Sequence, residues 1–320
     1  MPALEDHKFA QFAQEKLSCK HLLGIEKLSA QDIRLILDMA CQIAINKNHH
    51  HRSMNALSGK SVINLFFENS TRTLVSFELA AKRLGADVTN IVTNASSIKK
   101  GESLLDTAST LNAMHPDFLI IRHPFAGVPQ LLSDRNILNC AIVNGGDGAH
   151  EHPTQALLDA LTIRRRKGRI EGLKIAICGD ILHSRVARSN IHLLSKLGAE
   201  IRLCGPTTLM IQDFDWPIEQ KKCVKIIPDI EKAISQCDII MVLRLQLERM
   251  QGAFVPSLRE YYRFFGINKA KLSLAKPDAL IMHPGPINRG VEIASDIADD
   301  LSRSMIAEQV EMGVAVRMAV

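Results

Sequence analysis

GKSVINLFFENSTRT, residues 59–73, is the stretch whose reading decides the fold. GKSVINLFFE (59–68) reads as a buried strand of a parallel sheet, ending in the polar turn NSTRT. From about Thr71 the period changes. Leu74, Phe77 and Ala81 fall at helical spacing until Leu84-Gly85, and ADVTNIV (86–92) begins the next strand. The same plan recurs at GLKIAICGD (172–180), where a polar turn ILHSR and a helix to Leu197-Gly198 lead to the strand AEIRLCG (199–205). Both helices end in Leu-Gly-Ala followed by an acid, a glycine cap handing over to a parallel strand.

Outward from these two units, DFLIIR (117–122), NCAIVN (139–144), CDIIMVLR (237–244) and DALIMH (278–283) read as further strands. Helices are expected over 31–45, 103–114 and 154–166. The expectation is therefore an α/β chain of two doubly wound parallel-sheet domains, with the active site in the cleft between them. The glycine turn at 145–148 marks the first boundary. The first domain covers 1–151, the second 152–296, and a last helix within 297–320 packs back on the first. In such sheets ligands bind beyond the carboxyl ends of the strands, so those ends hold the candidate chemistry.

Composition narrows the class. With 46% hydrophobic and 23% charged residues, the 320-residue chain has the balance of a soluble globular protein. Aromatics at 4% and a net charge of only +5 argue against a nucleic-acid partner. The seven scattered cysteines lack a C-x-x-C pair and read as reduced, without a disulfide frame or zinc site. The opening MPALEDHKFAQFAQEKL has no apolar core of a signal peptide, and no segment reaches the roughly 20 apolar residues of a membrane span. A cytoplasmic protein with no membrane contact is expected. His49-His50-His51 reads as a solvated linker rather than a metal site.

The strand ends carry an unusual number of cations and histidines. Ser70-Thr71-Arg72-Thr73 meets the first strand's helix, where backbone N–H groups and a guanidinium favour an anion; an N-cap followed by a solvated arginine is the plainer alternative. Arg122-His123-Pro124 ends the third strand. His152-Pro153-Thr154-Gln155 opens a helix, where His152 is a donor to a ligand or simply a structural cap. Arg185, Arg244 and His283-Pro284-Gly285-Pro286 follow later strands. The polar segment NASSIKKGES (94–103) is a solvated loop or a mobile anion clamp. Neither a glycine-rich dinucleotide turn after KIAIC nor a P-loop is present.

Taken in order, FFENSTRT, SSIKKGES, IRHP, EHPTQALLDAL, HSRVARS, RLQLER and MHPGPINRGVEI resemble the blocks of the aspartate and ornithine carbamoyltransferases, the aspartate branch most closely. The resemblance runs from about His21 to the C-terminus. It implies transfer of a carbamoyl group from carbamoyl phosphate to L-aspartate, early in pyrimidine synthesis, with no metal or organic cofactor. Ser70, Thr71, Arg72 and Thr73 resemble the phosphate cradle, Arg122 the arginine reaching phosphate and carbamoyl oxygen, and His152 the donor that polarises the carbonyl. Gln155 with the Gly285-Pro286 backbone resembles the holder of the carbamoyl amide. Arg185 and Arg244, with Gln246 nearby, resemble the clamps on the aspartate carboxylates. Ser96 and Lys100 match a loop that reaches a neighbouring subunit's site in a homotrimer, and Glu68 an acid that bridges the domains on closure. Both substrates are polyanions, which suits a site rich in guanidinium forks.

One position departs from the family pattern: Leu74 stands where a second arginine usually follows STRT. This puts that arginine's local salt bridges in question. The ornithine branch carries His-Cys-Leu-Pro and a Ser-Met-Gly loop, and this chain has neither. A non-catalytic scaffold is the alternative from another class, and only Leu74 favours it. The resemblance leaves open a regulatory chain or a dihydroorotase-like partner.

Overall fold

The computed structural model describes residues 15–45, 54–92, 102–211, 217–246 and 255–320. The chain divides into two compact units, Met1–Leu161 with Met312–Val320, and Thr162–Glu311.

In the first unit, α1 (Ala30–Ile45) is followed by β1 (Ser61–Phe66), α2 (Thr71–Arg83), β2 (Asp87–Val92), α3 (Leu104–Asn112), β3 (Phe118–His123), α4 (Val128–Asp134) and β4 (Ala141–Asp147). The strands form one parallel sheet in the order β2-β1-β3-β4. After β1 the chain steps to one side for β2 and then to the other for β3, so the order reverses at β1. Leu65, Leu119, Ile121, Leu132 and Ile142 form a fully buried cluster on one face of this sheet. Each such side chain contributes about 1.5–3 kcal/mol relative to exposure.

Helix α5 (Pro153–Lys167) carries the chain from the first unit into the second. There follow β5 (Lys174–Cys178), α6 (Arg185–Lys196), β6 (Glu200–Cys204), α7 (Ile218–Cys223), β7 (Val224–Ile226), α8 (Ile230–Ile234), β8 (Ile239–Val242), α9 (Leu258–Phe265), α10 (Lys269–Leu272), β9 (Leu280–Met282) and α11 (Ser295–Ala298). The second sheet is also parallel, ordered β7-β6-β5-β8-β9, and reverses at β5. Its core includes Ala176, Ile240, Val242, Ile281 and Ile293. Helix α12 (Ile306–Ala319) begins in the second unit and ends in the first.

The repeated Leu-Gly-Ala endings have one physical form. Gly85 (φ 82°) and Gly198 (φ 80°) take the left-handed conformation that other residues adopt at a cost. The amide of Ala86 then donates to the Ala81 carbonyl and that of Gly85 to Lys82; Ala199 and Gly198 donate likewise to Leu194 and Ser195. Each is a Schellman closure that turns the chain straight into the next strand.

Candidate active site

The reversal of strand order leaves the carboxyl ends of β1 and β3 open in the first unit, and those of β5 and β8 in the second. Such switch points are where open α/β sheets take ligands. The sequence-predicted residues in the described segments lie at these ends or beside them.

In the first unit, Ser70 precedes α2, whose first turn holds Thr71, Arg72 and Thr73. The leading N–H groups of a 13-residue helix have no acceptor within it, so this end favours an anion. Ser70 Oγ donates to Thr73 Oγ1 at 3.0 Å, which fixes the turn. Thr73 is buried, Thr71 and Arg72 are exposed, and Leu74 is half-buried on the same helix.

Arg122 is buried at the end of β3. Its Nη2 donates to Glu68 Oε1 at 2.9 Å and its Nη1 to the Gly145 carbonyl at 3.1 Å, while its own carbonyl accepts from the Phe67 amide. One guanidinium therefore joins the segment that leaves β1 to the later part of β4. The next residue, His123, stacks obliquely between Phe67 and Phe125, and its Nδ1 accepts from the Phe125 amide at 3.0 Å. Burial lowers its pKa, which keeps the imidazole neutral near pH 7.

His152, also buried, stands at the N-terminal end of α5, and Gln155 lies one turn on with its Nε2 on Asp159 Oδ1. Two buried carboxylates fix that helix entry. Asp147 accepts from the Gly127 and Glu151 amides, from Asn144 Nδ2, and contacts His150 Nδ1 at 3.1 Å. Burial alone would raise the Asp147 pKa; the bonds from His150, Asn144 and Gly127 outweigh it and hold it below the usual value. Glu151 accepts from the amides of Ile25 and Glu26.

In the second unit, β5 runs into Gly179 (φ 129°), where an added Cβ would lie 2.8 Å from the Leu243 carbonyl. Glycine thus lets the ends of β5 and β8 approach. Asp180 is fully buried; its Oδ1 accepts from the His183 amide and contacts His183 Nδ1 at 2.9 Å, and its Oδ2 accepts from the Gln246 amide at 3.2 Å. Ser184 caps α6 through the Ala187 amide, which places buried Arg185 at the first helical position. Arg244 follows β8, and its Nη2 donates to Gln246 Oε1 at 3.2 Å. Asp180 thereby couples the turn before Arg185 to the segment after Arg244. Gly285 and Pro286, joined by a cis peptide, follow β9 and His283.

Ser96 and Lys100 lie outside the described residues, as does His49-His50-His51. Among the described residues no group of three or more His, Cys, Asp or Glu is placed to hold a metal, and no helix is long and apolar enough to cross a membrane. All seven cysteines are free thiols, and burial pushes Cys204 up to about 12 and Cys237 to about 11. The supporting carboxylates Asp147, Glu151 and Asp180 are not singled out by the sequence. The signal available is an acid two residues after a strand (Asp180) or directly before a candidate histidine (Glu151).

The carbamoyl-P binding domain of aspartate/ornithine carbamoyltransferases matches residues 20–165, and their Asp/Orn binding domain matches residues 171–320. The chain belongs to the aspartate/ornithine carbamoyltransferase family. Within this family, the aspartate carbamoyltransferase catalytic subunit of Rhodospirillum rubrum is 61% identical over 305 residues, covering 94% of this chain and 92% of the relative. That of Ruegeria pomeroyi is 60% identical over 301 residues, covering 94% of each. Among solved carbamoyltransferases, aspartate transcarbamoylase of Trypanosoma cruzi in complex with carbamoyl aspartate and phosphate superposes with a TM-score of 0.81 at 32% identity, covering 95% of both chains. The ornithine carbamoyltransferase of Pyrococcus furiosus gives 0.84 at 28% identity, covering 93% of this chain and 95% of that one.

Proposed function

We propose that the chain transfers the carbamoyl group of carbamoyl phosphate to the α-amine of L-aspartate, giving N-carbamoyl-L-aspartate and phosphate, an early step of pyrimidine biosynthesis. The observation that carries the choice of acceptor is the pair of guanidinium groups at one switch point. Arg185 and Arg244 follow adjacent strands of the second sheet and are coupled through Asp180 and Gln246. Two planar forks suit two carboxylates and suit a cationic ornithine side chain poorly.

In this reading the residues through 151, with the helix within 297–320, bind carbamoyl phosphate, and residues 152–296 bind aspartate. Ser70, Thr71, Arg72 and Thr73 cradle the phosphate, with Arg122 reaching both phosphate and carbamoyl oxygen. Gln155 and the Gly285-Pro286 backbone hold the amide. The unprotonated amine attacks the carbamoyl carbon, and charge builds on its oxygen. His152, Arg122 and Thr73 stabilise that oxyanion with donors already in place. The C–O bond to phosphate then breaks, and the departing phosphate takes the amine's proton. The chemistry needs orientation and charge stabilisation, with no metal or organic cofactor in any step. Ser96 and Lys100 complete a neighbouring subunit's site in a homotrimer, and the enzyme works in the cytoplasm.

The test is a carbamoylation assay on the purified chain with aspartate and ornithine offered separately. Aspartate is consumed, and a chelator leaves the rate unchanged. Comparable turnover of ornithine overturns the choice of acceptor, and a chelator loss restored by zinc or magnesium overturns the metal-free mechanism.

A further inference from the structure

We propose that Glu292, acting through His283, is a positioning residue that sets the Gly285-Pro286 turn and so tunes affinity for the carbamoyl amide. The inference rests on the assignment of that turn as the amide subsite.

Glu292 is completely buried and His283 nearly so. A carboxylate there is costly unless its oxygens accept hydrogen bonds. Glu292 Oε1 accepts from the Asn288 amide at 2.5 Å and lies 3.2 Å from His283 Nε2. On the other side of the ring, His283 Nδ1 lies 2.8 Å from the Gly285 amide nitrogen. A backbone N–H can only donate, so Nδ1 is the acceptor and carries no proton. Nε2 then bears the ring proton and donates it to Glu292.

The result is a directed chain in which the Gly285 amide donates to His283 and His283 donates to Glu292. A carboxylate on the far nitrogen strengthens the near nitrogen as an acceptor, because successive hydrogen bonds polarise one another. The same Oε1 also holds Asn288. One buried oxygen therefore pins both ends of residues 285–288, one end directly and the other through the imidazole. Gln309 Oε1 accepts from the His283 amide at 2.9 Å and anchors the start of the turn. Glu292 Oε2 has no hydrogen-bond partner among the described residues, so Oε1 makes both of the carboxylate's hydrogen bonds there. Neither buried side chain is required to touch substrate. Each acts on where the Gly285-Pro286 backbone stands.

Phosphate alone lacks the amide, and this separates positioning from general damage. The experiment measures dissociation constants of carbamoyl phosphate and of inorganic phosphate by calorimetry on full-length wild type, Glu292→Leu and Glu292→Gln. Losing the chain of hydrogen bonds should weaken carbamoyl phosphate by about tenfold in the leucine variant, with phosphate affinity held within about twofold. Glutamine presents the same acceptor to both donors and should stay within about threefold of wild type for each ligand. If the leucine variant does not fold, His283→Asn replaces it. Its Oδ1 can still accept from Gly285 but cannot reach Glu292, and the same selective loss is expected. Unchanged carbamoyl phosphate binding, a parallel loss of both ligands, or a glutamine variant as poor as leucine overturns the proposal. A wild-type enzyme that turns over aspartate yet holds carbamoyl phosphate no better than phosphate defeats the amide subsite itself. Selectivity kept by both wild type and the leucine variant defeats the positioning role alone.

Discussion

The roles proposed for His152 and Arg244 differ, and loss of either residue should leave its own kinetic signature. His152→Ala would remove the proposed oxyanion donor, so kcat should fall by roughly 10²- to 10³-fold with little change in the aspartate KM. Arg244→Ala would weaken the proposed carboxylate clamp, which also orients the amine, so the aspartate KM should rise and kcat fall together. Steady-state kinetics with each substrate varied in turn reads both. Near-full turnover in His152→Ala would make that residue only the cap of α5. Residues of this kind are legible in the sequence because polar side chains at the ends of apolar strands are conspicuous. Their supports are not. Asp180 matters through an amide 66 positions away, and Glu151 through amides 126 and 125 positions away, partners that only the fold brings near.

At the scale of elements, the start of α1 shows how much a local pattern can hold. Ser29 Oγ accepts from the Asp32 amide at 3.0 Å, and Asp32 Oδ2 accepts from the Ser29 amide and hydroxyl, a capping box with aspartate in the third position. Asp32 also accepts from the amide and hydroxyl of Ser18, which ties the incoming chain to the helix. Burial alone would raise this carboxyl, but the hydrogen bonds from Ser18 and Ser29 outweigh it and bring it from 3.8 to about 2. Because the folded value is depressed, its stabilisation is complete above the unfolded value and fades as pH falls toward about 2. Asp32→Asn should therefore cost about 1–2 kcal/mol at pH 6, after allowance for solvent screening, and progressively less between pH 4 and 2. Urea midpoints across that range check it, and a pH-independent penalty would show that charge on Asp32 contributes nothing. Other boundaries escape a periodic reading. The last helix, expected within 297–320, begins only at Ile306 because the residues before it are engaged elsewhere. Asp299 pairs with Arg289, Asp300 caps a turn onto Ser302, and Met305 donates to the Ile281 carbonyl.

For the whole molecule, both parallel sheets are legible because their central strands, such as KIAIC and DFLIIR, are apolar on both faces and separated by helix-length segments. The short β7, two-thirds exposed along its length, carries no such signature. Assembly is the next level, and the proposed homotrimer with shared sites makes a prediction that no single subunit can satisfy. A cyclic trimer repeats one heterologous contact three times, so each site would take Ser96 and Lys100 from a neighbour and His152 from its own chain. Lys100→Ala and His152→Ala chains should each be inactive alone. Unfolded together in equal amounts and reassembled at random, they form mixed trimers that each contain one site with both residues intact. About a quarter of all sites should then recover, as cyclic geometry requires. The readout is aspartate carbamoylation by hybrid trimers separated by a charge tag from the parental ones. Verified hybrids with no more activity than the parents would mean that the Lys100 segment serves its own subunit, because every residue proposed for catalysis would still be present in the mixture and only the sharing would have failed.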